Sequence, residues 1–338
     1  MGRYIGIDLH RNCFTSCIQA ENNRSYLRTW RLEDLEIFCA KLRKSDEIAV
    51  EVTGNTRLFY DAVFPLVSRV VVVNPHQFKV ISDSVNKTDN NDARRLALFL
   101  SKDLLPEVRM TNKEHAQIKS LTQSRDKLVK LRTALKNKIN NICSAHGINL
   151  KRECLSSEKG LNRILEFSFD PMVKIEVRVL VDQIRSLNKS IKELEEAIKD
   201  AGSKLSGSKN LKSIKGIGDL GSAILLSVIV DVNDFADEGK LAAYFGIVPR
   251  VSNSNGTNHS GRITKSGNKL GRTTLVQCAL IAKRYSPYLS DYYERIKAKR
   301  GAGKAIIALA RKFLNVIYNT LKNDWVWKDF PNGVLAEV

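Results

Sequence analysis

Four acidic residues near the start of the chain have the types and spacing that a divalent metal site requires. Asp8 and Glu51 each lie within an apolar stretch, whereas Asp89 and Asp92 stand three residues apart where a helical pattern begins. A buried carboxylate is costly unless it is paired or binds a metal, and helical residues three apart share a face. Carboxylate oxygens suit Mg²⁺, and two such ions stabilise both oxygens of a phosphoryl transfer. The set therefore predicts a Mg²⁺ site for phosphoryl transfer.

Each of these acids, taken singly, also has a purely structural explanation. Asp89 at a helix start could be a capping residue, and Asp92 could favour the positive end of the helix. Glu51 in a strand could belong to a buried ion pair. As an ordered set, the four residues favour the metal site.

The segments around the acids predict a mixed α/β domain over residues 1–110. Three strand patterns at hairpin spacing, Tyr4–Leu9, Cys13–Gln19 and 26–30, predict an antiparallel meander. Alternating helix and strand patterns follow, at 32–42, 47–52, 56–66, 70–73 and 93–100. This order predicts a mixed sheet flanked by helices and matches the ribonuclease H architecture.

The charge of the chain predicts a nucleic-acid partner. The net charge is +19, which favours a polyanionic partner. No apolar run is long enough to span a membrane, so a membrane partner is not expected. Six cysteines without metal-site spacing predict reduced thiols in a cytosolic protein. The excess of basic over acidic residues rises along the chain: 16 against 14 in 1–110, 19 against 12 in 111–205, and 20 against 10 in 206–338.

The middle domain, residues 111–205, predicts a coiled coil. Thr111 and Glu114 form a capping-box pattern, and apolar residues then recur every seven positions from Leu121 to Ile142. A second run, from Val173 to Ile198, carries a narrow seam with spacings of three and four. The pattern fits an antiparallel hairpin for dimerisation or nucleic-acid contact, and it equally fits a plain intramolecular helix pair.

The last domain, residues 206–338, is predicted to be mostly helical and to grip phosphates. Lys215, Gly216 and Gly218 precede an apolar helix at 220–229, which is typical of a helix-hairpin-helix whose amide groups contact a phosphate. Beyond it, the Ser, Asn and Gly content of residues 252–256 predicts a flexible loop. Basic residues flank this loop and would offset charge on a phosphodiester attacked by a hydroxyl. They are Arg250, Arg262, Lys265, Lys269 and Arg272.

In combination, these segments resemble the insertion-sequence-110 family of transposases, whose relatives include Piv-type DNA invertases and RNA-guided bridge recombinases. The resemblance covers nearly the whole chain. It is carried by YIGIDLH, AVEVTGN, KTDNNDARRLA, IKGIG, AAYFGIVPR, the serine loop and GRITKSGN.

The resemblance implies a RuvC-like domain with an Asp-Glu-Asp-Asp site, a coiled coil and a transposase domain with a nucleophilic serine. The tetrad falls on Asp8, Glu51, Asp89 and Asp92. The serine falls on Ser254, five residues after Pro249, although Asn255 stands where the family often has Gly or Ser. Ser252 is therefore a second candidate.

Further properties follow from the resemblance alone. It implies a phosphoserine link to cleaved DNA, assistance by Mg²⁺, guidance by a noncoding RNA, and homodimers that pair into homotetramers. It also implies a bacterial cytoplasmic, nucleoid-associated protein. In such an assembly, the acidic site of one protomer would complete the serine site of another.

Three other classes of protein share some of these sequence features. An actin-like ATPase or sugar kinase would need a second glycine-rich phosphate loop, which the sequence lacks. A noncatalytic nucleic-acid-binding scaffold would leave the four acids unexplained. In a hydrolytic junction nuclease, the acids alone would activate water and Ser254 would be incidental.

Overall fold

The computed structural model describes residues 3–19, 24–74, 78, 88–108, 110–151, 153–254 and 257–336 of the 338, and for residues 252–260 it describes the backbone. The chain divides into two compact units, Met1–Met110 and Thr111–Val338. Among the described residues, no helix is both long and apolar enough to cross a membrane.

The first unit is built on a five-stranded mixed sheet. Its strands are β1 (Tyr4–Leu9), β2 (Cys13–Gln19), β3 (Ser25–Arg31), β4 (Glu47–Glu51) and β5 (Arg69–Val73). The spatial order is β3-β2-β1-β4-β5. The first three strands pair antiparallel, and β4 pairs parallel with both β1 and β5. The predicted mixed sheet with flanking helices is therefore confirmed.

Strand alternation sends two different sets of side chains to the two faces of this sheet. On one face, Ile5, Ile7 and Val50 pack with the aromatic residues of two short helices, α1 (Leu35–Cys39) and α2 (Thr56–Val63). Phe14, Phe38 and Phe59 meet there edge to face. This apolar layer fixes the register of the central strands, because a shift of one residue would turn every side chain to the opposite face.

The other face of the sheet is covered by α3 (Asp89–Ser101). Gly6 makes this packing possible, because a Cβ at that position would lie 2.0 Å from the Ala93 carbonyl oxygen and 2.5 Å from the Ala97 nitrogen. Asp8 is two residues beyond Gly6 and therefore lies on the same face, below the start of α3. The close approach of strand and helix thus decides where the carboxylates meet.

The second unit is mostly helical. Its helices are α4 (Lys113–Ala145), α5 (Glu158–Leu165), α6 (Pro171–Ser203), α7 (Ser208–Ser213), α8 (Asp219–Ile229), α9 (Glu238–Tyr244), α10 (Lys269–Ala282), α11 (Pro287–Arg300) and α12 (Ala302–Lys322). Two hairpins accompany them: β6 (Pro249–Ser254) with β7 (Thr257–Ile263), and β8 (Trp327–Asp329) with β9 (Val334–Leu335). The predicted helical character of this part is confirmed.

The two 33-residue helices α4 and α6 lie antiparallel. Arg125 pairs with Glu195, Arg132 with Asn188, and Lys138 with Glu176, so residue numbers rise along one helix as they fall along the other. Every seventh residue of the α6 seam is buried, at positions 177, 184, 191 and 198. Two basic residues of α4, Arg132 and Lys138, are thus engaged with α6, which favours the explanation of this region as an intramolecular helix pair.

Two expectations about helix starts are wrong, namely Thr111 as the cap of α4 and Asp89 as the cap of α3. The cap of α4 is Asn112, whose side chain accepts a hydrogen bond from the His115 amide, and Thr111 precedes it. The cap of α3 is Thr88, so Asp89 is its first helical residue. Gly202 lies within α6, where a Cβ would meet that of Ala223 at 2.2 Å, so its small size serves helix packing.

Candidate active site

Asp8 and Asp89 lie at the centre of the acidic site, together with a histidine that the sequence interpretation missed. The Nε2 atom of His10 lies 3.3 Å from Asp8 Oδ2 and 3.4 Å from Asp89 Oδ1. One ligand atom from each of the three residues falls within 4.8 Å of the other two. The end of a strand, the turn that follows it and the start of a helix therefore converge on one point.

The Asp8 carboxylate is buried among like charges. Only 8% of the residue is exposed, and this burial raises the pKa of Asp8, while His10 lowers it and Asp89 and Asp92 raise it again. Burial and negative neighbours both disfavour the charged form of a carboxylate. A cation held between these side chains would remove that penalty.

Glu51 joins Asp8 through the register of the sheet. Ile7 is paired with Val50, so the next residue of each strand, Asp8 or Glu51, follows at the same level and on the same face. One carboxylate oxygen of Glu51 is buried. The turn after Glu51 is fixed because Thr56 Oγ1 donates to the Glu51 carbonyl at 2.9 Å and accepts from the Thr53 amide.

Asp92 lies one turn into α3 and is 6% exposed. It lies 3.9 Å from the Arg95 guanidinium. Neither Asp92 nor Glu51 belongs to the cluster of ligand atoms within 4.8 Å of one another, which among the described residues contains Asp8, His10 and Asp89. That all four acids together form a ligand set therefore stays a prediction. Two of them, Asp8 and Asp89, both lie in close contact with His10.

The turn that carries His10 is anchored by Asn55. The Asn55 side-chain amide donates to the carbonyls of His10 and Arg11 at 3.0 and 2.8 Å, and the His10 amide donates to the Cys13 carbonyl. Asn55 belongs to the same Glu-Val-Thr-Gly-Asn segment as Glu51. Asn55 is a polar residue at the end of that segment, and His10 stands two residues beyond Asp8. These two positions were the available sequence signal for the contact between Asn55 and the turn.

The donor atoms fit a divalent cation. Oxygen atoms from several carboxylates with one nitrogen nearby are the ligands that such ions accept. Burial, together with Asp89 and Asp92, raises the pKa of Asp8, and a bound cation would favour its charged form. Asp8 and Asp89 would hold the ion, with Glu51 and Asp92 on the same side of the sheet.

The serine candidates lie on the hairpin of β6 and β7, and the prediction of a flexible loop there is wrong. Ser252 pairs with His259, and Ser254 pairs with Thr257. Asn255 and Gly256, which join the strands, lie outside the described residues. An Asn-Gly pair between two strands is a strong hairpin signal, so the polar composition of this stretch is that of a hairpin.

The base of this hairpin is tightly packed between two neighbouring segments of the second unit. Gly246 has a φ of +67° and Gly267 a φ of +95°, and a Cβ on Gly246 would lie 1.9 Å from the Ser266 carbonyl oxygen. The Thr264 amide donates to the Val248 carbonyl and the Lys265 amide to the Gly246 carbonyl. The AAYFGIVPR and GRITKSGN segments are thus brought together.

The predicted basic residues gather at this base. Arg250 donates to the Thr264 carbonyl and Arg272 to the Phe245 carbonyl, while Arg262, Lys265 and Lys269 are exposed. Ser254 is four residues from Arg250 along β6, about 13 Å at roughly 3.3 Å per strand residue. The structure therefore places Ser254 at the tip of the hairpin and several basic groups at its foot.

The predicted helix-hairpin-helix forms a tight turn between α7 and α8. Gly216 has a φ of +109° and would clash with Ala282 if it carried a Cβ. Gly218 caps α8 and has open space around it, and Lys215 is exposed. Asp219, at the start of α8, pairs with Lys212 at 2.9 Å, and this contact lowers the pKa of Asp219.

The acidic site and the basic second unit are features of an enzyme that acts on nucleic acid, and comparison with known proteins identifies the class as DNA recombinases and gives the family. A model described as the transposase IS116/IS110/IS902 family matches residues 208–294, and a model of DEDD-type IS110 transposases matches residues 5–146. Together they span about two thirds of the chain. The chain belongs to the IS110 family of transposases, and the match to a DEDD-type domain indicates a divalent metal.

Individual relatives agree with this family. The transposase for insertion sequence element IS1111A of Coxiella burnetii is 25% identical over 94% of this chain and 89% of its own length. The pilin gene-inverting protein of Moraxella bovis is 27% identical over 95% of this chain and 96% of its own. The transposase for insertion sequence element IS1328 of Yersinia enterocolitica is 23% identical over 93% and 95%.

Proposed function

We propose that this transposase cuts and rejoins DNA through Ser254, with Mg²⁺ held by Asp8, Glu51, Asp89 and Asp92. The observation that carries the proposal is the convergence of Asp8 and Asp89 beside the sheet, with Glu51 in register on the neighbouring strand. The strand order, with an antiparallel meander followed by two parallel strands, supports a ribonuclease H or RuvC-like fold for this unit.

The chemistry is two successive exchanges at phosphorus. Ser254 Oγ gives up its proton and forms a bond to the phosphorus of a DNA phosphodiester, and the bond to one bridging sugar oxygen breaks, leaving a sugar hydroxyl that takes up a proton. In the second exchange, the hydroxyl of an incoming strand gives up its proton and bonds to the phosphorus, the bond between phosphorus and Ser254 Oγ breaks, and the serine oxygen takes up a proton. Bound Mg²⁺ would supply charge stabilisation to the phosphoryl oxygens.

The surfaces that hold nucleic acid are assigned to the second unit. Lys215, Gly216 and Gly218 would contact a phosphate at the start of α8, and the cations at the foot of the serine hairpin would contact the backbone of the DNA. The antiparallel pair α4 and α6 forms the middle domain, residues 111–205, with 206–338 as the transposase domain. A noncoding RNA of the element as guide, and homodimers that pair into homotetramers, rest on the family resemblance.

A covalent adduct tests the serine half of the proposal. The protein is incubated with Mg²⁺, its element ends and the flanking RNA, and DNA–protein adducts are separated on denaturing gels. We expect an adduct in the wild type that is absent in Ser254→Ala and present in the matched control Ser252→Ala. Loss of the adduct in Ser252→Ala alone would transfer the role to Ser252.

A hydrolytic nuclease is the second candidate function, and one observation favours it. Ser254 lies about 13 Å along β6 from Arg250 at roughly 3.3 Å per residue, so the cations at the foot do not flank the serine on its own hairpin. In this alternative, the acidic site activates water and no adduct forms. Cleavage that persists in Ser254→Ala and is lost in Asp8→Asn would establish it.

A further inference from the structure

His10 is the one part of the acidic cluster that the Asp-Glu-Asp-Asp pattern does not include. We propose that its Nε2 atom is a ligand of the metal that Asp8 and Asp89 hold, and that this nitrogen biases the site toward Mn²⁺ over Mg²⁺. The inference rests on the proposed metal function and adds a residue and a metal preference to it.

The distances between the three ligand atoms suit one ion. Two ligands at right angles, each about 2.1 Å from the same ion, are about 3.0 Å apart. The separations of His10 Nε2 from the two carboxylate oxygens are 3.3 and 3.4 Å, and all three atoms fall within 4.8 Å. Small rotations of side chains, without movement of the backbone, would bring all three onto one ion.

The backbone of His10 is held while its ring is left accessible. The Asn55 side chain binds the His10 and Arg11 carbonyls, and the His10 amide donates to the Cys13 carbonyl. The side chain is 48% exposed, so its position beside two carboxylates is not imposed by burial. A turn fixed on one side and an open ring directed at two acids on the other is a preorganised ligand.

The nitrogen atom decides which ion benefits. Mg²⁺ prefers oxygen ligands, keeps several waters and demands near-ideal octahedral geometry. Affinity of a nitrogen-containing site rises along the first-row series that begins with Mn²⁺. A site of carboxylates and one imidazole therefore keeps its Mg²⁺ affinity from oxygen and gains for Mn²⁺ from nitrogen.

The same geometry has a second explanation with the opposite consequence. The imidazole would then only offset the charge of Asp8 and Asp89, and a metal ion would have to displace it. Removal of the ring then tightens metal binding, whereas removal of a ligand weakens it. The sign of the change in affinity thus separates the two roles.

Metal titration of the full-length protein tests the inference. Binding of Mn²⁺ and of Mg²⁺ alone is measured by calorimetry for the wild type, His10→Ala and the control His146→Ala, whose ring contacts the Ile142 carbonyl in the second unit. We expect His10→Ala to weaken Mn²⁺ binding at least about tenfold, because loss even of a residue that only supports a metal ligand typically lowers metal affinity by that factor. Mg²⁺ binding should change less than about twofold, because its ligands are oxygens.

Pulsed electron paramagnetic resonance of bound Mn²⁺ gives the direct readout. An imidazole ¹⁴N coupling should be present in the wild type and His146→Ala and absent in His10→Ala. Unchanged or tighter Mn²⁺ binding in His10→Ala, or a wild type without the nitrogen coupling, would overturn the inference. Asp8→Asn separates the two levels: if it leaves Mn²⁺ binding intact, the proposed metal site itself fails.

Discussion

The acidic cluster and the serine hairpin differ in what holds their chemical groups in place. Asp8 lies near the end of a central strand with neighbours on both sides, one sheet face is packed with aromatic rings, and the other is covered by α3. Ser254 ends a strand that, among the described residues, pairs with β7 alone in a two-stranded sheet. A two-stranded hairpin is marginally stable by itself. We therefore expect the acids to be set before DNA binds and the serine to be positioned by what the hairpin contacts.

The largest effect expected from this contrast follows removal of a buried acid. Asp92→Ala should reduce strand exchange at least about a thousandfold, because charge stabilisation at phosphorus is lost, while DNA and RNA binding stay largely intact. Strand exchange and filter binding are measured side by side, with the exposed Asp61→Asn as control. An Asp92→Ala protein that does not fold would make Asp92 structural.

The Gly6→Ala substitution tests the rigidity of the packing between β1 and α3, which positions the acidic site. Because its Cβ would lie 2.0 Å from the Ala93 carbonyl oxygen, Gly6→Ala should lower the free energy of unfolding by about 3 kcal/mol, at the upper end of overpacking costs. Urea unfolding of the full chain measures it. Gly54→Ala is the control, since nothing lies within 4 Å of that position. Equal stability of the two variants would contradict a fixed contact between β1 and α3.

The corresponding change at the hairpin should cost less. Gly246→Ala brings a Cβ against the Ser266 carbonyl oxygen in a left-handed backbone, and we expect a loss of about 1–3 kcal/mol. The loss is smaller because Ser266 lies in the connection between β7 and α10, which can shift more readily than a helix packed on a five-stranded sheet. Gly261→Ala, whose Cβ would meet its nearest neighbour at 3.7 Å, is the matched control. A larger loss than for Gly6→Ala would reverse the ranking of the two regions.

The smallest effect is expected at the anchor of the His10 turn. Asn55→Ala removes two hydrogen bonds to backbone carbonyls, which should lower the free energy of unfolding by about 1–2 kcal/mol. Thermal unfolding gives the stability, and Mn²⁺ titration shows whether the loosened turn also weakens metal binding. Full stability in this variant would mean that water replaces the amide without loss.

Much of the first unit could be predicted from its sequence because its signals are local. The strand around Asp8 and that around Glu51 alternate with turn residues, and the bounds of β2 follow directly from its pattern. Contacts between distant residues left no such signal. His10 meets Asp89 only after α3 folds onto the sheet, and Gly216 must be small because α10 passes beside it.

The serine hairpin shows why composition misled. Ser, Asn and Gly occur in flexible loops and in tight hairpins alike, and the difference lies in pairing partners that composition does not record. The alternation in residues 257–263 is too polar to read as a buried strand. The cap of α4 was predicted wrongly for a related reason. Thr111 and Asn112 are both good capping residues, and only the folded geometry decides which of them caps the helix.

The closed foot of the serine hairpin separates the stability of the helical scaffold from the length of the hairpin beyond it. Two main-chain hydrogen bonds, from Thr264 to Val248 and from Lys265 to Gly246, seal the foot without using any side chain of the tip. Lengthening a connection costs only about 0.6 kcal/mol for each doubling. Insertions placed between these bonds that keep Ser252 and Ser254 should thus leave the helical scaffold folded.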